Sequence, residues 1–322
     1  MEKLKTYISK HLPIIEETIT FLLKDIDPYV KEIATHIISS GGKRLRPILC
    51  LLSAGLFSYR KQDVYPLACV LEFIHSATLL HDDIIDHAPL RRGNKTAHTI
   101  FGEAKTILAG DALLALSNKI VSNYNNIGLM RCLSEAIYRT AAGEIMELAY
   151  MKKKWLTYEE YLDIITGKTA YLIQFSCESG AILAGANVLE LNNIRLFGLN
   201  LGIAFQLVDD VLDYSLNQEK LGKPVGGDLK EGKITLPLIY YLESMDDSKR
   251  FDLLERIKNN ELSDEEHKEI LFDINEKGVL QKALQSSDVY IQKAKNALHN
   301  LPESLEKDIL WEVVDFVKNR EY

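Results

Sequence analysis

Apolar positions recur three and four residues apart along almost the whole chain, and strict apolar–polar alternation is scarce. That spacing predicts amphipathic helices and little sheet. Only eight prolines occur in 322 residues, and none lies between Leu90 and Lys223, which permits long unbroken helices there. Residues 1–39 read as two amphipathic helices, the second starting at Asp27-Pro28. Gly41-Gly42 closes that stretch, Lys43-Arg44-Leu45-Arg46 follows, and Pro47 opens an apolar helix. Further helices are expected over 66–87, from Thr157 to Leu172 and from about Ile194 to Tyr214. Residues 98–150 are apolar on more than one face, most of all from Ile107 to Ile120, and belong in a bundle centre or at a subunit contact. Leu216 to Pro237, rich in Gly and Lys, reads as a mobile flap. Residues 238–322 look like helical scaffold without chemistry of their own. One all-α domain spanning 1–322 is the simplest organisation.

Two of these helices carry the same acidic pattern. His81-Asp82-Asp83-Ile84-Ile85-Asp86 comes early, and Val208-Asp209-Asp210-Val211-Leu212-Asp213 comes past the middle. The first and last aspartates are four apart, so on a helix they share a face about 6 Å apart along the axis. Like charges at that spacing repel, and apolar neighbours make ionised carboxylates harder to hold. A hard cation relieves the cost, and carboxylate oxygens with phosphate are the natural ligand set for Mg²⁺. A single copy would read as a solvated helix end. Two copies on apolar segments, each followed by a basic, glycine-containing loop, point to metal.

Basic residues stand where an anion would need them. Lys43 and Arg46 offer a point charge and a two-pronged grip on phosphate. His75 shares the helical stripe of Asp82. Leu90-Arg91-Arg92-Gly93-Asn94 is a turn-prone basic loop just beyond the acidic face. Lys168 interrupts a mostly uncharged segment, so it needs an anion or a pocket. Gln206 precedes Asp209 by three and lies on its face. Lys152-Lys153-Lys154 reads as a solvated loop.

Net charge of −8 argues against general attraction to nucleic acid or an anionic membrane, while leaving room for an anionic substrate at a metal. Cys50, Cys69, Cys132 and Cys177 are scattered in apolar stretches and are expected as reduced core thiols, which suits a cytoplasmic protein. The first residues lack a secretory pattern, and no run is expected to cross a membrane, Pro47 to Phe57 being the longest apolar one. Two motif matches fail on context. Gly227 to Lys233 satisfies G-x-x-x-x-G-K, but Ile234 follows in place of Ser or Thr and no strand precedes it. Glu72-Phe73-Ile74-His75 has the Glu-x-x-His form of di-iron bundles without a second copy.

Taken together, Gly42 to Pro47, His75 with Leu79 to Asp86, Leu90 to Gly93, Gly143-Glu144, Lys168-Thr169, Phe205 to Asp210 with Asp213, and Gly222 to Pro237 resemble the trans-isoprenyl diphosphate synthases of the polyprenyl synthetase family. Arg320 resembles that family's closing arginine. The resemblance implies an all-helical bundle around a deep central cavity, a homodimer, and head-to-tail condensation of isopentenyl diphosphate with an allylic diphosphate primer. It implies Mg²⁺ as cofactor, with Asp82, Asp86 and Asp209 as direct ligands and Asp83, Asp210 and Asp213 ligating or orienting from behind. Arg91, Lys168, Lys223 and Lys233 match positions that offset the allylic diphosphate and close the flap. Lys43, Arg46, His75 and Arg92 match the isopentenyl diphosphate site. Thr169 and Gln206 match positions whose oxygens face the carbocation.

In the family, large aromatics at the fourth and fifth residues before the first aspartate stop chain growth. Thr78 and Ala77 stand there, with Ser76 beside them, so a long-chain product is expected, beyond the farnesyl and geranylgeranyl lengths. Tyr138 is the expected deeper floor. Three departures bear on fine specificity. His87 stands where an acidic residue is frequent, Asn94-Lys95 replaces a residue-plus-proline, and Glu147 replaces a frequent glutamine. The competing readings are a shorter-chain synthase, a terpene cyclase, and a non-catalytic subunit of a heteromeric synthase. A second all-aspartate pattern disfavours the cyclase, and the full aspartate set disfavours the subunit.

Overall fold

The computed structural model describes residues 1–151, 153–216 and 225–320. Among these residues the regular elements are helical apart from one hairpin of two two-residue strands. Helices α1 (Glu2–Leu22), α2 (Pro28–Ser39), α3 (Leu45–Leu56) and α4 (Val64–Ile85) lead to the hairpin β1 (Leu90–Arg91) and β2 (Asn94–Lys95). Then come α5 (Ala97–Phe101), α6 (Glu103–Ser122), α7 (Ile127–Met151) and α8 (Tyr158–Ile165). A π-helical turn, Thr166–Ala170, joins α8 to α9 (Tyr171–Leu183), and α10 (Val188–Asp213) follows. The remainder is α11 (Gly227–Lys230), α12 (Leu236–Glu243), α13 (Asp247–Lys258), α14 (Asp264–Glu276), α15 (Val279–His299) and α16 (Leu305–Lys318). The chain forms two compact units, Met1–Tyr138 with Leu172–Gly198 and Ala297–Val313, and Arg139–Tyr171 with Leu199–Asn296 and Val314–Tyr322.

In the first unit α4 packs against α1, α2, α3 and α6. The side chain of Asp27 accepts the Tyr29 N–H at 2.9 Å and Pro28 opens α2, so the expected start holds. Helix α3 begins at Leu45, two residues ahead of Pro47. Arg44 just before it takes a left-handed φ of 49°. Its buried guanidinium is held by Glu72 at 2.6 Å, Glu16 at 2.7 Å and the Ile38 carbonyl at 2.9 Å. Glu72 therefore neutralises a buried arginine and has no di-iron role. Gly110 of α6 lets that helix approach α4 beside the first acidic pattern, because a Cβ there would lie 2.3 Å from His81 Nε2.

Helix α4 is long and apolar enough to cross a membrane, which corrects the expectation that no segment is; 72% of its most apolar window is buried in protein, as in a core helix. It ends at Ile85, so Asp86 caps it from outside and Leu90 to Lys95 form a hairpin where a loop was expected. Ala109, Leu113, Ile120 and Val121 are buried while Ile107, Leu108 and Ile127 are exposed, so one face of the apolar stretch packs inside the first unit and another lies open.

The second unit holds two apolar clusters. One gathers Tyr161, Ile164, Ile165, Leu207 and Val211 around α8 and α10. The other gathers Tyr214, Leu229, Leu254, Ile257 and Ile274. Gly143 of α7 and Gly167 of the π turn meet where any side chain would clash, the built Cβ of each lying 2.6 Å from the other's backbone. That close approach brings α7 against the turn bearing Lys168.

Candidate active site

In the first unit the open face of α4 is the stripe His75, Thr78, Leu79 and Asp82, partly accessible, with Asp86 exposed at its end. Ser76, Ala77, Leu80 and Asp83 turn inward. The three aspartates of the pattern thus divide. Asp83 is fully buried and accepts from Arg91 Nε at 2.6 Å, which fixes the hairpin over the helix end. Burial raises its carboxyl above the ordinary range and Arg91 pulls it back. Its second oxygen, Oδ2, is buried without a hydrogen-bond partner.

A basic group surrounds His75. Burial holds the imidazole well below 6.5, and Arg46, Arg92, Arg91 and Arg44 push in the same direction, so it is neutral. Burial and the neighbouring Arg92 lower Arg46, whose Nε is buried without a partner. Arg92 sits in the hairpin turn at a φ of 51° and is lowered by burial and by Arg91. Glu72, the nearby carboxylate, is committed to Arg44. Such an excess of cations with a buried N–H to spare has the chemistry to hold an anion. Lys43 is exposed beside it.

Of the two positions expected to set product length, Thr78 is partly accessible and Ala77 is fully enclosed. Thr78 Oγ1 donates to the His75 carbonyl at 2.9 Å. Tyr138, the expected floor, is 65% exposed on α7, and a side chain that open to solvent closes no cavity within one chain.

In the second unit the aspartates of α10 also divide. Asp209 pairs with Arg320 Nη1 at 2.9 Å, and that guanidinium lies 4.4 Å from the centroid of the Phe205 ring. Asp210 is buried, accepts the Tyr161 hydroxyl at 2.5 Å and accepts Gln206 Nε2 at 2.7 Å. Gln206 thus serves Asp210, one helical turn on. Thr169 Oγ1 donates to Gln206 Oε1 at 2.8 Å. Asp213 receives the N–H groups of Gly227 at 3.2 Å and Asp228 at 2.9 Å and so starts α11.

Burial, with repulsion from Asp209 and Asp213, pushes Asp210 up to about 7 against the hydrogen bonds from Tyr161 and Gln206. Burial also raises Asp213 against its two backbone donors. Asp228 is pushed well above 3.8 by burial, Asp210 and Asp213, with Lys233 opposing. Lys233 pairs with Glu231 at 2.8 Å, and Lys168 with Glu144 at 3.1 Å and with Glu147. A cavity of about 160 Å³ is lined by Glu147, Lys168, Thr169, Gln206, Asp210 and Lys233 among others. Lys223 lies outside the described residues, as do residues 217–224 of the expected flap as a whole. From residue 225 the chain is folded onto Asp213.

Among the described residues no three His, Cys, Asp or Glu side chains already form a metal cage. The donors that are present are carboxylate oxygens, several of them raised by burial and by mutual repulsion. That chemistry fits a hard divalent ion held by one or two carboxylates, with substrate phosphate completing the shell.

A sequence model of the family described as Polyprenyl synthetase matches residues 27–274. The chain belongs to the polyprenyl synthetase family. It is 32% identical over 317 residues, 98% of this chain and 90% of the relative, to "Heptaprenyl diphosphate synthase component 2" of Bacillus subtilis. It is 38% identical over 262 residues, 80% of this chain and 79% of the relative, to "Short chain isoprenyl diphosphate synthase" of Methanocaldococcus jannaschii. The crystal structure of a polyprenyl synthase from Caulobacter crescentus, complexed with calcium and isoprenyl diphosphate, superposes with a TM-score of 0.90 at 35% identity, covering 99% of this chain and 97% of that one. As a polyprenyl synthetase the chain is a trans-prenyl diphosphate synthase, a prenyltransferase.

Sequence reasoning missed Tyr161 and the grip of Glu144 and Glu147 on Lys168, and gave Asp228 a place in the matching motif without a role. The resemblance pointed to Arg320 without its partner, Asp209.

Proposed function

We propose that this synthase condenses isopentenyl diphosphate with an allylic diphosphate to make a long-chain all-trans polyprenyl diphosphate, with Mg²⁺ as its metal. The observation that carries the long-chain reading is Thr78, a small side chain on the open face of α4 one turn before Asp82, flanked in sequence by Ala77 and Leu79. The name of the Bacillus subtilis relative supports it, and that of the Methanocaldococcus jannaschii relative favours the second reading, a shorter product.

Asp82, Asp86 and Asp209 would hold the metal, and the metal would supply charge neutralisation for the departing diphosphate. Asp83 keeps Arg91 aimed, Asp210 is oriented by Tyr161 and Gln206, and Asp213 anchors the chain leading to Lys233. Arg91, Lys168 and Lys233 offset the charge of the allylic diphosphate. Lys43, Arg46 and Arg92 bind isopentenyl diphosphate, while neutral His75 contributes a hydrogen bond. Thr169 and Gln206 present oxygens to the allylic cation. Isopentenyl diphosphate attacks that cation through its double bond, and the proton lost afterwards goes to the released diphosphate. Lys223, with Lys233, would help exclude water, which otherwise quenches the cation to an alcohol.

The same reading treats 1–322 as one catalytic domain, acting as a cytoplasmic homodimer. Four buried, unbridged cysteines support the location, and the exposed Ile107, Leu108 and Tyr138 support self-association. Purified protein is incubated with radiolabelled isopentenyl diphosphate, an allylic primer and Mg²⁺, and product lengths are read by chromatography. A ladder reaching beyond geranylgeranyl length supports the proposal. Products stopping at or below that length give the second reading, a released hydrocarbon means a cyclase, and silence until another subunit is added means a heteromeric synthase. Activity that survives EDTA removes the metal from the account.

A further inference from the structure

Lys168 is held by two carboxylates of α7. Glu144 and Glu147 lie three residues apart on α7, hence on one helix face, and both carboxylates reach its ammonium. The approach of Gly143 to Gly167 sets this geometry, since it packs α7 directly on the π turn. Two carboxylates therefore share this ammonium. Glu147 also lines the cavity that contains Lys168, Thr169, Gln206 and Asp210. An anionic ligand that takes Lys168 must therefore displace or share a carboxylate already there.

We infer that Glu147 is an affinity-setting residue, an internal anion that competes with the substrate diphosphate for Lys168. The inference rests on the proposed role of Lys168 in binding that diphosphate. Glu144 is the more enclosed partner, its side chain 13% exposed against 22% for Glu147, so Glu147 has the freedom to turn away when the ligand arrives. A carboxylate a few ångströms from a bound polyanion repels it in a partly screened setting, and its removal tightens binding roughly three- to tenfold.

Glu147→Gln tests this, because glutamine keeps the shape and an oxygen for Lys168. Binding of inorganic pyrophosphate is measured by calorimetry at low salt, with and without Mg²⁺. Pyrophosphate binding is expected to tighten three- to tenfold, and the KM of the allylic diphosphate to fall in step without a rise in kcat, as uniform binding requires. The gain should shrink when Lys168→Gln is combined with it. Unchanged or weaker binding overturns the inference, and so does a loss confined to the Mg²⁺ titration, which would make Glu147 a metal ligand. A gain that persists undiminished in the double variant also overturns it, since the effect would then be general repulsion. Lys168→Gln alone separates the two layers. If it leaves pyrophosphate binding intact, the proposed role of Lys168 fails. If it weakens binding while Glu147→Gln gives no tightening, the competition alone fails.

Discussion

Replacing Asp210 with asparagine should stabilise the metal-free protein while removing its activity. The wild-type carboxyl is 4% exposed and pushed up to about 7, against 3.8 for an ordinary aspartate. Between those values the folded chain keeps a proton that the unfolded chain has released. Stability therefore falls as pH climbs from about 4 to about 7 and is level beyond. Roughly three pH units at about 1.4 kcal/mol each amount to a cost on the order of 4 kcal/mol at pH 8. Asp213 and Asp228 share the repulsion, so the single change recovers part of it. Asparagine keeps an oxygen that accepts from Gln206 and an amide that can donate to the Tyr161 hydroxyl oxygen, at the cost of the acceptor for that hydroxyl's own proton. The advantage of Asp210→Asn is expected to grow by about 1–3 kcal/mol between pH 5 and pH 8. Urea unfolding in EDTA across that range measures it. Turnover with both diphosphates and Mg²⁺ should fall by roughly 10²–10³, the scale of losing one preorganised electrostatic group. A variant no more stable than wild type at pH 8, or a gain independent of pH, would refute the reasoning.

Other expectations follow from the same geometry. His75 is held below its unfolded value, so the unfolded chain takes up the extra proton and stability drops as pH falls through 6.5, by up to about 1.4 kcal/mol per pH unit. Thermal melts from pH 5 to 7.5 should show a shallower acid slope in His75→Asn, and equal slopes would contradict the neutral imidazole. Thr78→Phe should shorten the product, read by chromatography, whereas Ala77→Tyr overfills an enclosed site and should cost about 1–3 kcal/mol in urea unfolding. Arg91→Ala strands the buried Asp83 and should cost about 3 kcal/mol, most of it recovered by adding Asp83→Asn; no recovery means the pair is not what holds the hairpin. Leu108→Asp should halve the mass measured by light scattering if the exposed face of α6 joins two copies, and an unchanged mass removes that face from the interface.

The helices and both acidic patterns were readable in the chain because each is local. A three-to-four apolar period states which residues share a face, and four-residue spacing places Asp82 with Asp86 whatever surrounds them. Cap chemistry at Asp27-Pro28 is local too. Local rules placed the end of α4 two residues late, since Asp86 caps the helix and His87 turns to a φ of 51° before Pro89 is reached. The π turn was likewise hidden, because it follows from the contact of Gly167 with Gly143 and not from the residues of the turn.

Packing alone decided which carboxylate does what. Nothing in Asp-Asp-x-x-Asp says that Asp83 is buried under Arg91 while Asp82 stays open, since that depends on how the hairpin folds back over α4. Asp210 meets Tyr161 from 49 residues away, and Lys168 meets Glu147 from 21. Arg320 reaches Asp209 from the far end of the chain. The kinds of chemistry were written in residue types and spacing. Burial and partnership, which set each charge, depend on distances between elements that the chain's own periodicity does not contain.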